Sequence, residues 1–266
     1  MVIFTATSKT LHVVRFTNDE NKMISLRIIN IIQARMGSTR LPKKSLMPLA
    51  GRPLVDHVME RAKKSRLIIE VVIAIPGTPD NEPIAERAKL QGVDVFRGSE
   101  NDLIDRYYRA AVQYKADIIV RICADNPLIH PSEIDRMIQY FLDHDFDFCS
   151  NVGPVMGNNY PDGLGAEVFS FKALEWIHAN VTDPHCREHP HENFYRNKDR
   201  FNLGTVPCPG ELACPDIVLD INTREEYDFI SKLFTDLQKP GELIHIMDII
   251  PWYRQHADRI PVTYRH

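Results

Sequence analysis

The chain has 266 residues, 44% hydrophobic and 26% charged, with 32 Lys+Arg against 36 Asp+Glu and a formal net charge of −4. A chain of this length can bury a core without disulfides or structural metal, and this composition excludes the disordered, fibrous and membrane-embedded classes. Interspersed signs leave no broad basic surface, so nucleic acid is not an expected partner.

Five cysteines, Cys123, Cys149, Cys186, Cys208 and Cys214, are odd in number and widely spread, which suits reduced thiols better than a secreted disulfide framework. The opening residues lack a basic head before an apolar run, and no apolar stretch reaches about 18 residues. The expectation is a cytoplasmic protein without membrane insertion.

Residues 1–26 hold short apolar pieces broken by Thr17-Asn18-Asp19-Glu20-Asn21-Lys22. They read either as an extra strand or arm, or as a non-native extension ahead of Met23. The second is preferred because the pattern from Leu26 looks like the opening of a domain. Residues 26–32 (LRIINII) form a nearly continuous apolar run, the pattern of a strand buried on both faces of a parallel sheet. Leu54, Val55, Val58 and Met59 then recur at helical spacing within residues 53–64, and residues 68–75 repeat the strand pattern. Residues 82–91 predict a helix, 93–96 a short strand, and 101–114 a helix opened by an Asn/Asp cluster. Another apolar strand, 117–122, runs into Cys123-Ala124-Asp125-Asn126-Pro127, and Ser132 opens a helix with Glu133 and Asp135 in its first turn, favourable at the positive end of the helix dipole.

This βαβα rhythm predicts a mostly parallel sheet with helices on both faces, whose ligands gather at the carboxyl ends of the strands. After residue 150 the rhythm changes. A Gly/Pro/Asn-rich stretch at 151–163 leads to a strand at 167–171, a helix at 172–180, a histidine-containing insert, strands at 201–206 and 217–219, and a helix at 224–237. This half is expected to extend the same sheet and to supply a smaller lobe, about 151–216. Residues 238–266, with Trp252, Tyr253 and Tyr264, form a tail that offers a contact to a neighbouring subunit of a homodimer.

The loop after the first apolar strand reads QARMGSTRLPKKSL from Gln33. Two arginines, two lysines, hydroxyls and a glycine in one loop suit a polyphosphate, although neither the Walker A nor the GxGxxG pattern is present. The bland alternative is a solvated basic loop. This motif resembles the N-terminal signature of the sugar cytidylyltransferases, above all the spore coat polysaccharide biosynthesis protein F family. More distant relatives are the synthetases of CMP-linked 3-deoxy-manno-octulosonate and CMP-linked sialic acids. The likeness continues in order through FRGSENDLIDRYYRAA, VRICADNPLIHP, YPDGLGAEVFSFKALE, Arg187-Glu188-His189 and DINTREEYDF, over roughly residues 27–232. It implies an α/β nucleotide-diphospho-sugar transferase fold, Rossmann-like, over 27–237, using CTP and Mg²⁺ on an acidic sugar.

What the resemblance implies can be carried to single residues. Ala34, Arg35, Gly37, Ser38, Arg40 and Lys44 surround the nucleotide, with Arg35 and Lys44 stabilising developing charge and backbone N–H groups adding donors. Arg97 joins them, and the cluster Ser99, Asp102, Asp105 and Arg106 either lines the pocket or forms helix-surface pairs. Asp125 is the catalytic metal-binding aspartate, a residue that in isolation reads as a turn former. Asp220 and Asn222, two apart and so on one side of an extended segment, supply the second ligand or else cap the helix that follows. Tyr160, Asp162, Glu167, Arg187 and His189 face the acceptor, with Arg187 the natural bidentate partner of its carboxylate. Lys43 and Ala124 stand where relatives have glycine. Zinc at His185, Cys186, His189 and His191, with Cys208 and Cys214, fits no standard finger spacing.

Three other readings compete: transfer to a sugar or alditol phosphate, a nucleotide-sugar-dependent glycosyltransferase, and a noncatalytic nucleotide binder. Glycosyltransferases of this kind carry an Asp-x-Asp motif mid-fold, where this chain has Asp125 by itself.

Overall fold

The computed structural model describes residues 2–7, 10–16, 23–151 and 157–264. β1 (Val2–Thr7), β2 (Thr10–Phe16) and β3 (Met23–Leu26) pair antiparallel as one small sheet, the strand reading of that stretch. The interrupting segment 17–22 lies outside the described residues, as do 152–156 of the Gly/Pro/Asn-rich stretch.

β4 (Ile28–Gln33) opens the main domain. A ribbon of β5 (Pro48–Leu49) and β6 (Arg52–Pro53) precedes α1 (Leu54–Lys63), which buries Leu54, Val55, Val58, Met59 and Ala62 completely because residues at this spacing share one helical face. β7 (Glu70–Pro76), α2 (Glu82–Leu90), β8 (Asp94–Gly98), α3 (Leu103–Gln113), β9 (Ile118–Cys123) and α4 (Pro131–Asp143) repeat the unit. The second half adds β10 (Phe148–Ser150), β11 (Glu167–Ser170), α5 (Phe171–Asn180), α6 (Pro184–Glu188), α7 (Pro190–Arg196), β12 (Leu203–Thr205), α8 (Arg224–Leu237) and α9 (Ile246–Gln255).

Among the described residues the main sheet has seven strands in the order β12-β10-β11-β9-β4-β7-β8. β4 runs parallel to β7 and β9, and β7 to β8, whereas β11 is antiparallel to both its neighbours. Ile28 and Ile32 pack into one core cluster while Ile29 and Ile31 pack into another. A strand covered on both faces favours apolar residues at nearly every position, which explains the run; its one polar member within β4's core, Asn30, is buried and donates to the Val120 carbonyl at 2.8 Å. The chain steps outward from β4 to β7 and β8, then returns to β9 on the other side of β4. The switch point between β4 and β9 leaves a crevice at their carboxyl ends, the usual ligand position in open α/β sheets.

Residues 217–219, expected as a strand, make a single bridge, Asp162 to Val218. The aromatic residues of the C-terminal stretch pack on this chain itself. Trp252, Tyr253 and Tyr264 are buried in this chain's own core, with ring centroids 5.2, 5.4 and 6.3 Å from that of Phe229. Trp252 Nε1 donates to Asp236 at 2.9 Å. No helix among the described residues is long and apolar enough to cross a membrane.

Candidate active site

The loop leaving β4 turns back through Lys43, whose φ of 61° and ψ of 19° are left-handed. A side chain there costs about 1 kcal/mol that glycine avoids. The turn directs Lys44 into the crevice, where its Nζ donates to Asp125 Oδ2 at 2.8 Å, the Ile221 carbonyl at 2.7 Å and Asn222 Oδ1 at 3.0 Å. Arg40 reaches the same Asn222 oxygen at 3.1 Å. The basic loop and the acidic turn after β9 therefore meet at the switch point.

Asp125 is tied to the C-terminal half by the Ile221 N–H, which donates to its carbonyl at 3.0 Å. Gly163 makes the neighbouring contact. Its φ is +88°, and a Cβ there would lie 3.0 Å from the Leu219 backbone carbon, so glycine lets the two segments touch. Asp162 N–H donates to Ile217 O at 2.9 Å and Leu219 N–H to Asp162 O at 3.1 Å. Burial, then the charges of Asp162, Asp125 and Glu226, push the Asp220 carboxyl up to about 7, against a hydrogen bond donated by Asn222 Nδ2. Tyr264 donates its hydroxyl to the Asp220 carbonyl. The cap of α8 is Thr223, in a capping box with Glu226, so neither Asp220 nor Asn222 is consumed as that cap. Carboxylate and amide oxygens crowded together in this way fit a hard divalent cation, which needs one or two carboxylates beside phosphate and water.

A cavity of about 280 Å³ extends from this cluster, lined by Ser38, Arg40, Lys44, Asp125 and Asn222 at one end and by Glu100, Arg106, Arg121, Glu188 and His189 elsewhere, with Gln33, Ala34 and Arg35 also in its wall. Gln33 Oε1 accepts from Tyr107 at 3.2 Å and from Arg121 Nε at 3.1 Å, while Arg121 NH1 meets Glu167 Oε2 at 2.5 Å. Burial pushes the cavity-lining Cys123 thiol up to about 12, which keeps it neutral. A larger cavity, about 730 Å³, opens beside α4, but its Arg66 and Arg136 are paired with Asp135 and Glu133, and it shares no lining residue with the cavity beside Lys44 and Asp125.

Several expected site residues are committed elsewhere. Arg97 pairs with Glu82 through two 2.8 Å bonds and does not line the cavity. Arg187 donates to Asp102 at 2.6 Å and to the carbonyls of His178 and Val181, tying α6 to α3; His189, from the same triplet, does line the cavity. Tyr160 is buried and donates to Glu133 at 2.9 Å. Glu167 is buried and faces Arg121 across the β9–β11 ladder. Asp162 lies beside the acid cluster.

The N–H groups of Ala34, Met36 and Ser38 are bonded to Ala74 O, Asn81 Oδ1 and Met36 O, leaving fewer backbone donors than expected. Gly37 is exposed, and a Cβ there would meet nothing within 4 Å. Of the histidine-rich insert, His185, His189 and Glu192 bring three ligand atoms within 4.8 Å of one another, without a cysteine.

Arg106, one of the polar cluster named from sequence, lines the cavity, whereas Arg121 was not singled out. A lone charge inside the apolar run of β9 was the available signal for Arg121, since an unpaired charge does not persist in a core strand.

The family model for cytidylyltransferases matches residues 29–256. The chain belongs to the cytidylyltransferase family. Members are nucleotidyltransferases, and the enzyme class follows. Spore coat polysaccharide biosynthesis protein SpsF of Bacillus subtilis is 31% identical over 222 residues, 81% of this chain and 88% of that protein. The structure of a cytidylyltransferase from Leptospira borgpetersenii serovar Hardjo-bovis superposes with a TM-score of 0.80 at 31% identity, covering 88% of this chain and 97% of that one. The fold is shared with CMP:2-keto-3-deoxy-manno-octonic acid synthetase complexed with CTP, at a TM-score of 0.60 and 18% identity over 79% of this chain and 99% of that one.

Proposed function

We propose that the protein is a Mg²⁺-dependent cytidylyltransferase that joins CTP to an acidic sugar of the 3-deoxy-ulosonic or nonulosonic type, releasing CMP-sugar and pyrophosphate for surface polysaccharide assembly in the cytoplasm. The observation that carries this reading is the meeting of Lys44, Asp125 and Asn222 at the switch point, beside Asp220. The family supplies cytidylyl transfer, and the CTP and keto-deoxy sugar acid of the fold relative suggest the substrates.

The anomeric hydroxyl attacks the α-phosphorus, an O–P bond forms, the bridging bond to the β-phosphate breaks, and pyrophosphate leaves with the electron pair while the hydroxyl proton passes to solvent. Charge accumulates on phosphate oxygens, so catalysis is chiefly positioning and electrostatic stabilisation. Lys44 exchanges its internal acceptors for those oxygens, Arg40 adds positive charge at the same end, and Arg35 adds positive charge from the side of the cavity nearer Arg106. Asp125, Asp220 and Asn222 would hold Mg²⁺, whose contribution when bound is charge neutralisation and orientation of the triphosphate.

The test is pyrophosphate release from CTP and Mg²⁺ with a panel of 3-deoxy-ulosonic acids and, in parallel, sugar and alditol phosphates. Release with sugar acids is expected. Release with phosphates and with no sugar acid replaces the acceptor, and no release with either class refutes the reading.

A further inference from the structure

Three arginines inside the molecule handle their charge differently. Arg121 is matched by Glu167 and Gln33. Arg61 is 1% exposed with Nε and NH2 unpartnered, but it lines no cavity described above, and its NH1 rests on the Ile129 carbonyl at 3.3 Å. Arg106 combines the two features: it is 4% exposed, its Nε has no acceptor, its NH2 makes one long bond to the Glu100 carbonyl at 3.3 Å, and it lines the active-site cavity.

The stem of Arg106 is held in place. A Cβ on Gly98 would lie 2.9 Å from Arg106 Cγ, so the strand packs directly on it. The nearby Arg35 repels its charge while Glu100 and Asp102 attract it without an ion-pair contact, and Asp102, the cap of α3, is occupied by Arg187. A guanidinium held in a low-dielectric wall with no carboxylate in contact is costly. The cost is recovered only when an anion enters the cavity, and a carboxylate suits the planar fork. Lys44, Arg40 and the acid cluster already serve the phosphate end. Arg187, the arginine the sequence offered for the acceptor, is spent on the α3–α6 contact.

We propose that Arg106 anchors the carboxylate of the sugar acceptor, an assignment that rests on the acidic-sugar reading above. Its test uses the full-length protein with CTP, Mg²⁺ and whichever 3-deoxy-ulosonic acid of the panel the wild type turns over. In Arg106→Gln the KM for the sugar acid is expected to rise about ten-fold or more, with the KM for CTP held within about two-fold, because one charge-assisted interaction with one substrate is lost. Arg106→Lys, which keeps the charge and loses the fork, should fall between. Removing an uncompensated buried charge should also leave the thermal midpoint of the ligand-free protein unchanged or raised, which a structural arginine would not do.

An unchanged KM for the sugar acid overturns the assignment, as does a rise in the KM for CTP instead, which would give Arg106 to the nucleotide phosphates. A lowered midpoint with equal losses for both substrates makes the residue structural and overturns it too. If the wild type turns over no sugar acid, the acceptor reading has failed and the assignment falls with it; if the wild type does and the variant matches it, the assignment fails by itself.

Discussion

Beside Asp125, Lys44 is held by three oxygens, those of Asp125, Ile221 and Asn222, whereas elsewhere in the same cavity Arg106 faces the interior with one long bond to a carbonyl. Arg121, also in the wall, is paired with Glu167 and Gln33. The contrast separates three uses of a buried cation. On the roles proposed above, one exchanges protein partners for ligand, one is a fixed part of the wall, and one meets its partner when the ligand arrives.

The largest expected effect tests the wall. Glu167→Gln leaves Arg121 buried and unpaired and should cost about 3–5 kcal/mol of stability, measured by urea unfolding; an unchanged midpoint would return Glu167 to the acceptor side, where the sequence put it. Next come Lys44→Met and Asp125→Asn, each expected to lower kcat by about 10²–10³-fold, the scale of losing one preorganised charge at the transferring phosphate. Pyrophosphate release measures it, and a variant that retains full turnover would mean that the Lys44–Asp125 contact is structural. A smaller effect lies in the support of the metal end. Thr223→Ala breaks the capping box beside Asn222 and should cost about 1 kcal/mol, read by thermal unfolding, with a weaker dependence of turnover on Mg²⁺ concentration.

The smallest change sharpens the comparison by leaving charge at the contact untouched. Lys43→Gly removes the left-handed strain in the turn that presents Lys44, offset by the greater freedom of glycine when unfolded, for a net gain below about 1 kcal/mol. Urea unfolding reports it. A loss of stability would mean that the lysine stem contributes packing that the backbone angle does not reveal.

Much of this architecture was legible in advance. The apolar runs of β4, β7 and β9 mark strands covered on both faces, and α8 occupies the very residues, Arg224–Leu237, that its pattern outlined. Elements that escaped notice were short or interrupted: β10 has three residues, α6 and α7 have five and seven within a polar insert, and α9 contains Pro251, which removes an internal hydrogen bond and disguises the helix. The aromatic residues at the C-terminal end were visible but their destination was not, since an exposed tail and a core-filling helix have the same composition.

The site divides along the same line. Residue types and motif order determine that a cationic loop follows the first buried strand, that an aspartate ends β9 and that the chain is a cytidylyltransferase, because these depend on local pattern and on collinear likeness. Which arginine is free to meet a ligand was decided only by tertiary structure. Arg187 and Arg106 carry the same guanidinium; one lies within 2.6 Å of Asp102 and the other has no carboxylate in contact among the described residues. Partners 85 positions apart in the chain set that difference, through a packing of α3 on α6 that no local stretch of sequence encodes.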